Sequence, residues 1–265
     1  MPTFLYRGIL KLNHIMTNKL LFRSLLFSLT IILLTMNIKG FSQGTPATDQ
    51  INTPDGVVDI SFIGHGTLMF RIGGFVIHID PVTSSGSYDN LPKADLILVT
   101  HDHYDHLDVK LIEKLRKDET VMFCNSSSGE KVPWAITMKA GDRKEVNKIV
   151  IDALEAYNIV NVRAPGQPFH PKGAGIGFII TIGGKRFYVA GDTENTPEMK
   201  ALKNIYVAFL PMNLPYTMTP EMVADAARAF KPAILYPYHF GETDTSQLVS
   251  LLKGSGIEVR IRDLK

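Results

Sequence analysis

A single cysteine in 265 residues, Cys124, excludes an intramolecular disulfide whatever the redox compartment. It sits in TVMFC, a strand-like run, and reads as a buried, inert thiol. Acidic residues are missing from the first 42 positions, which carry Arg7, Lys11, Lys19, Arg23 and Lys39. The longest uncharged stretch there, SLLFSLTIILLTMNI between Arg23 and Lys39, is fifteen residues, short of the ~20 that span a bilayer. Basic flanks, an apolar middle and small residues at Gly40 and Ser42 read as a signal peptide over 1–42, with Met16 as the better start and cleavage near Ser42–Gln43. An exported, periplasmic or secreted protein without a stable membrane anchor is expected, the alternative being anchorage by an uncleaved leader.

Five of the 28 Lys and Arg belong to that leader, leaving 23 basic against 26 acidic side chains, about −3. Bulk charge therefore gives no support to nucleic-acid binding, and a small-molecule substrate is expected. No collagen-like, coiled-coil or low-complexity signature is present.

Residues 43–56, rich in Gln, Thr, Pro, Asp and Gly, read as a linker into a domain over 57–265. Strands are predicted at 57–63, 67–72 and 75–79, the last two joined by a Gly73-Gly74 hairpin turn. DLILVT (95–100) is a buried strand ending at His101, and Leu107, Leu111, Ile112 and Leu115 then recur at helical spacing. More strands are expected at 120–124, 148–157, 175–182, 185–190, 205–210, 233–237 and 257–261. Helices fit 197–203, 219–230 and 245–253, with Thr219 as cap before Pro220. The order implies an α/β sandwich with helices outside.

The two halves echo each other. Ile72-Gly73-Gly74, a strand and Asp80 are answered by Ile182-Gly183-Gly184, a strand and Asp192. Asp80 precedes His101 by 21 residues and Asp192 precedes Asn213 by 21. Two similar halves packed face to face would bring their strand-end loops to one edge.

The chemistry concentrates in HDHYDH, His101 to His106, three imidazoles and two carboxylates directly after a buried strand. In an extended loop His101 and His103 project to one side and can bind one ion, while Asp105 and His106 can address a second. Imidazole with carboxylate suits zinc, and also manganese or iron. His170 in FHPKG and His239 in PYHFG lie in strand-end loops and are the natural additional ligands. Asp192 in VAGDT ends a strand where a carboxylate could bridge two cations. His65 in GHG could approach the site and is read as a hydrogen-bonding support rather than a ligand, and His78 as a core or supporting histidine. Tyr216 and Asn213, in PMNLPYTM, and Lys172, after His170, are candidates for orienting substrate.

HDHYDH, the His of FHPKG, the Asp of AGDT and the His of PYHFG together resemble the metallo-β-lactamase-fold hydrolases over nearly all of 57–265. GHGTLMF and FHPKGAGIGF look closest to the metal-dependent hydrolases grouped with ascorbate 6-phosphate lactonase and N-acyl phosphatidylethanolamine phospholipase D. The resemblance implies an αββα sandwich of two similar halves. It implies one metal on His101, His103 and His170, another on Asp105, His106 and His239, with Asp192 bridging. Asp80 matches the family's early Asp and would steady the HDHYDH loop by hydrogen bonds. Antibiotic-hydrolysing members place no bridging carboxylate at the AGDT position, and many use a cysteine for the second metal, so β-lactamase activity is not expected.

The expected activity is hydrolysis of an ester, lactone or phosphodiester by a metal-bridging hydroxide, with Asp192 bridging and Asp105 shuttling the proton. The alternative is a non-catalytic metal- or ligand-binding module, against which the complete ligand set argues. GFSQG (40–44) matches a serine-nucleophile motif but lies at the leader's end, and GAGIG (173–177) is one residue short of a dinucleotide fingerprint.

Overall fold

The computed structural model describes residues 46–265. The leader, its start at Met16 and its cleavage point lie outside the described residues. Among those described, no helix is long and apolar enough to cross a membrane.

Two seven-stranded sheets make the frame. The first runs in sequence order: β1 (Thr48–Thr53), β2 (Gly56–Gly64), β3 (Thr67–Ile72), β4 (Phe75–Ile79), β5 (Leu96–Val99), β6 (Val121–Cys124) and β7 (Ile136–Thr137). The second contains β8 (Arg143–Val146) and β9 (Ile149–Ala156). After an excursion through the hairpin β10 (Val162–Ala164) and β11 (Gln167–Pro168), it continues with β12 (Gly175–Ile182), β13 (Lys185–Val189), β14 (Ile205–Pro211), β15 (Ile234–Tyr238) and β16 (Glu258–Val259). Helices α1 (Val109–Leu115), α2 (Ser126–Lys131), α3 (Pro197–Lys200), α4 (Pro220–Phe230) and α5 (Thr245–Leu251) complete the described chain.

The period-two alternation of each strand sorts its side chains between layers. In β5, Leu96 and Leu98 face the inter-sheet core, while Ile97 and Val99 turn to a second cluster with Leu107 and Ile112 around α1. In β13, Phe187 meets Phe70 of the first sheet at 5.7 Å between ring centres, and its neighbour Tyr188 meets Phe230 of α4 at 6.2 Å. That is the expected helix, sheet, sheet, helix sandwich. Cys124 is buried on the α1 side.

The internal echo is structural. Hairpin β3/β4 is antiparallel and β4, β5 and β6 then run parallel, while hairpin β12/β13 is antiparallel and β13, β14 and β15 run parallel. Parallel strands point their carboxyl ends the same way, so in both halves the loops after β4, β5, β13 and β15 reach one edge.

Three expectations need correction. The segment read as a linker, 43–56, supplies β1, which pairs antiparallel with β2 from Thr48↔Ser61 to Thr53↔Gly56. Its Asp49 carboxylate accepts from Tyr236 Oη at 2.5 Å and from Arg262 Nη2 at 2.6 Å, tying the edge strand to the other sheet. A polar strand whose contacts lie nearly two hundred residues away carries no local periodicity. The helix expected over 197–203 closes after Lys200, and the strand expected over 257–261 is confined to Glu258–Val259.

Candidate metal centre

Each element delivers its ligand at a strand end. β4 finishes at Ile79, and Asp80 turns into a left-handed conformation (φ 45°) against the end of β5. There its Oδ1 accepts from Thr100 N at 2.7 Å, and its Oδ2 accepts from Thr100 Oγ1 at 2.7 Å and His106 Nδ1 at 2.8 Å. The HDHYDH loop folds on itself, with His106 N and Leu107 N both donating to His103 O, so His106 returns beneath His101 at 4.2 Å between ring centres. Asp192 arrives from β13 through Gly191, whose absent Cβ would lie 3.0 Å from Thr100 Cβ. Glycine there, at φ 66°, lets the second sheet's loop close on the first. His239 follows β15 and donates its backbone N–H to His65 O at 3.1 Å.

His170 is placed by Asn158, at the end of β9. Asn158 Oδ1 accepts from His170 N at 2.7 Å and from His170 Nδ1 at 2.8 Å. Asn158 is itself held by buried Glu194, which also accepts the backbone N–H groups of Ile159, Val160 and Asn161 at 2.7–2.8 Å.

The seven residues expected to hold metal converge. Asp192 Oδ2 lies 3.3 Å from His170 Nε2, 3.5 Å from His239 Nε2 and 3.9 Å from His101 Nε2, and its Oδ1 lies 3.3 Å from His106 Nε2. Asp105 Oδ2 lies 3.5 Å from His239 Nε2, and His103 Nδ1 lies 3.3 Å from His170 Nε2. Together with His65, which was not among them, their donor atoms form one group from His101, His103 and His170, another from His65, Asp105, His106 and His239, with Asp192 joining His101 and His106 between them.

Electrostatics mark the same point. Burial, reinforced by His106, holds His101 well below the usual imidazole range. Burial alone would lower His106 too, but the Asp192 and Asp80 carboxylates drive it well above. Burial opposes the ionised form of Asp192, and His239 and His106 outweigh it, keeping the carboxyl well below its ordinary range.

The residues fit divalent metal. His101 Nε2, His106 Nε2, His239 Nε2 and Asp192 Oδ1 are buried and make no hydrogen bond in the protein. Such orphans carry a desolvation cost that coordination removes. Imidazole tautomers agree: His106 Nδ1–H donates to Asp80, and His101 Nδ1–H donates to Thr100 Oγ1, whose own proton goes to Asp80. Both Nε2 atoms are thereby aimed inward, as metal-binding histidines require.

A cavity of about 400 Å³ opens over the cluster. Asn213 and Tyr216 line it, as expected, and Tyr216 stands edge-on to Phe169 at 5.1 Å. Lys172 does not: it pairs with Glu198 at 2.7 Å and lies over the Tyr157 ring. Sequence reasoning missed Arg163, an exposed cation on β10 that lines the cavity and sits 5.4 Å from the centre of the Phe169 ring. It also missed Thr100, Asn158 and Glu194; only the polar run GDTENT hinted at the last. His78 stands elsewhere, with Nε2 on Pro92 O at 3.0 Å.

Comparison with known proteins agrees with this geometry. The family model described as the beta-lactamase superfamily domain matches residues 59–239. A UPF0173 metal-dependent hydrolase of Symbiobacterium thermophilum is 31% identical over 217 residues, covering 78% of this chain and 92% of the relative. A crystal structure from Parabacteroides distasonis, named as a candidate metal-dependent hydrolase, is 45% identical, with a TM-score of 0.79 over 83% of this chain and 99% of its own. Igni18, a metallo hydrolase of Ignicoccus hospitalis, shares the fold at 24% identity, with a TM-score of 0.63 over 78% of this chain and 95% of its own.

Proposed function

The chain belongs to the beta-lactamase superfamily domain family and, within it, to the UPF0173 metal-dependent hydrolases, and on that premise we propose that it hydrolyses a small anionic ester, lactone or phosphodiester at a centre of two divalent cations. The observation that carries this reading is the position of Asp192, whose two oxygens lie within 3.9 Å of four histidine Nε2 atoms belonging to two donor groups. His101, His103 and His170 would hold one cation, Asp105, His106 and His239 the other, with Asp192 between them. Zinc suits this donor set, as do manganese and iron.

Bound there, divalent cations supply a Lewis acid and a water that is nucleophilic near neutral pH. The chain's own residues do the rest. Asp80 and Asn158 hold the imidazoles in the tautomers that bind. Asp105, half-buried and facing the cavity, carries a proton to the leaving group. Arg163 has no carboxylate partner among the described residues and receives the substrate's negative charge, with Tyr216 and Tyr104 as walls. The absent cysteine ligand argues against β-lactam hydrolysis.

The test is elemental analysis of the purified chain beside Asp192→Ala, followed by chromogenic lactones, carboxyl esters and phosphodiesters. Two divalent ions per chain and loss of turnover in a folded Asp192→Ala are expected; unchanged turnover in that variant sinks the assignment.

A further inference from the structure

Two of the site's histidines share one wiring. His106 Nδ1 bonds Asp80 Oδ2, and His170 Nδ1 bonds Asn158 Oδ1, the oxygen that also accepts His170 N. Both acceptors lack a proton to give, so Nδ1–H donates and Nε2 is the nitrogen left to face the site. That Nε2 lies 3.3 Å from an Asp192 oxygen in each case.

His65 repeats the pattern. Its Nδ1 lies 2.9 Å from the main-chain oxygen of Lys265, which can only accept, and its Nε2 lies 3.2 Å from Asp105 Oδ2. His65 Nε2 thus faces the same way as the other ring nitrogens, and its donor atom groups with those of Asp105, His106 and His239, all within 4.8 Å of one another.

The main chain around it is built for this placement. His65 adopts φ 51°, which side chains other than glycine rarely occupy and which persists where surrounding structure enforces it. A Cβ on Gly64 would lie 2.3 Å from Ser85 O, and one on Gly66 would lie 2.9 Å from His106 Cε1. Only this Gly-His-Gly run brings the ring in, and it packs at 3.8 Å from His239, centre to centre.

We propose that His65 is a direct metal ligand, binding through Nε2 the cation held by Asp105, His106 and His239. The inference rests on the two-cation reading above. The two positions then differ: His101, His103, His170 and Asp192 serve one, while His65, Asp105, His106, His239 and Asp192 serve the other, leaving the first the more open to substrate.

The experiment is cadmium-113 to nitrogen-15 correlation NMR on the full chain, labelled at histidine and loaded with cadmium-113, with imidazoles assigned in the wild type through their ring carbons. A coupling from cadmium to His65 Nε2, absent in His65→Gln while the His106 coupling remains, is the expected result. Couplings to His106 and His239 without one to His65 overturn the inference and leave the metal centre standing. No coupling to any histidine brings down the two-cation reading itself.

Discussion

Replacing Asp80 with Asn tests the wiring of the centre while leaving its shape intact. Asn tolerates the left-handed conformation at φ 45° at least as well as Asp, so the backbone is not perturbed. Oδ1 still accepts from Thr100 N, but the amide that replaces Oδ2 faces two donors, Thr100 Oγ1–H and His106 Nδ1–H. To escape, His106 moves its proton to Nε2, the atom aimed at the cation, and Thr100 releases its hold on His101. Losing a supporting carboxylate of this kind weakens metal binding by about 10- to 100-fold, about 1.4 to 2.8 kcal/mol. The buried charge-assisted bonds add a loss of about 1.5–3 kcal/mol in the stability of the metal-free protein. Competition against a chromogenic chelator reads the first effect, and urea unfolding after exhaustive chelation reads the second. Wild-type affinity for both ions in a folded Asp80→Asn would refute the claim that this carboxylate sets the tautomers.

Arg163→Ala is expected to raise KM for an anionic ester about 5- to 10-fold, as for one exposed charge-assisted contact, with kcat and the KM of a neutral ester unchanged; equal effects on both esters contradict its role. Burial pushes the Cys124 thiol up to about 11, so Ellman's reagent at pH 8 is expected to label it only in denaturant, and prompt native labelling refutes its placement. At Asp49 burial opposes ionisation, but hydrogen bonds from Arg262 and Tyr236 hold the carboxyl below its ordinary value. Its stabilisation is therefore full above about pH 4 and is lost as pH falls through the lower folded value. Asp49→Asn is expected to cost about 1–2 kcal/mol at pH 7, with the difference vanishing in acid; a constant gap across that range contradicts the account. The leader reading predicts a mature amino terminus near Gln43 in protein recovered from the exported fraction, read by intact-mass spectrometry; an unprocessed chain there favours anchorage by the leader.

Much of the site was legible because metal binding asks for side-chain types at strand ends, and both are local properties. HDHYDH follows a run too apolar to be anything but a buried strand, and His170, Asp192 and His239 each sit where an apolar run meets Pro or Gly. The strands themselves were legible wherever one or both faces are buried, as in β5 and β12. Where burial is weak the reading failed. β1 is a polar edge strand, whereas the 197–203 helix ends early for a backbone reason, Leu202 N donating to Met199 O in a tightened turn.

His65 shows the boundary between the two kinds of information. Its sequence context marks a tight turn between two strands, close enough to approach the site. Whether it supports Asp105 or binds beside it depends on which atom meets Nδ1, and that atom belongs to Lys265, two hundred positions away. The same holds for Asp80 with His106, Asn158 with His170, and Lys172, turned outward by Glu198. Residue identity and strand-end position determined which atoms can bind a cation, because chemical type and local periodicity are written along the chain. Only the packing of two sheets decided where their lone pairs point, because a hydrogen-bond partner is a matter of ångströms in space and not of spacing in sequence.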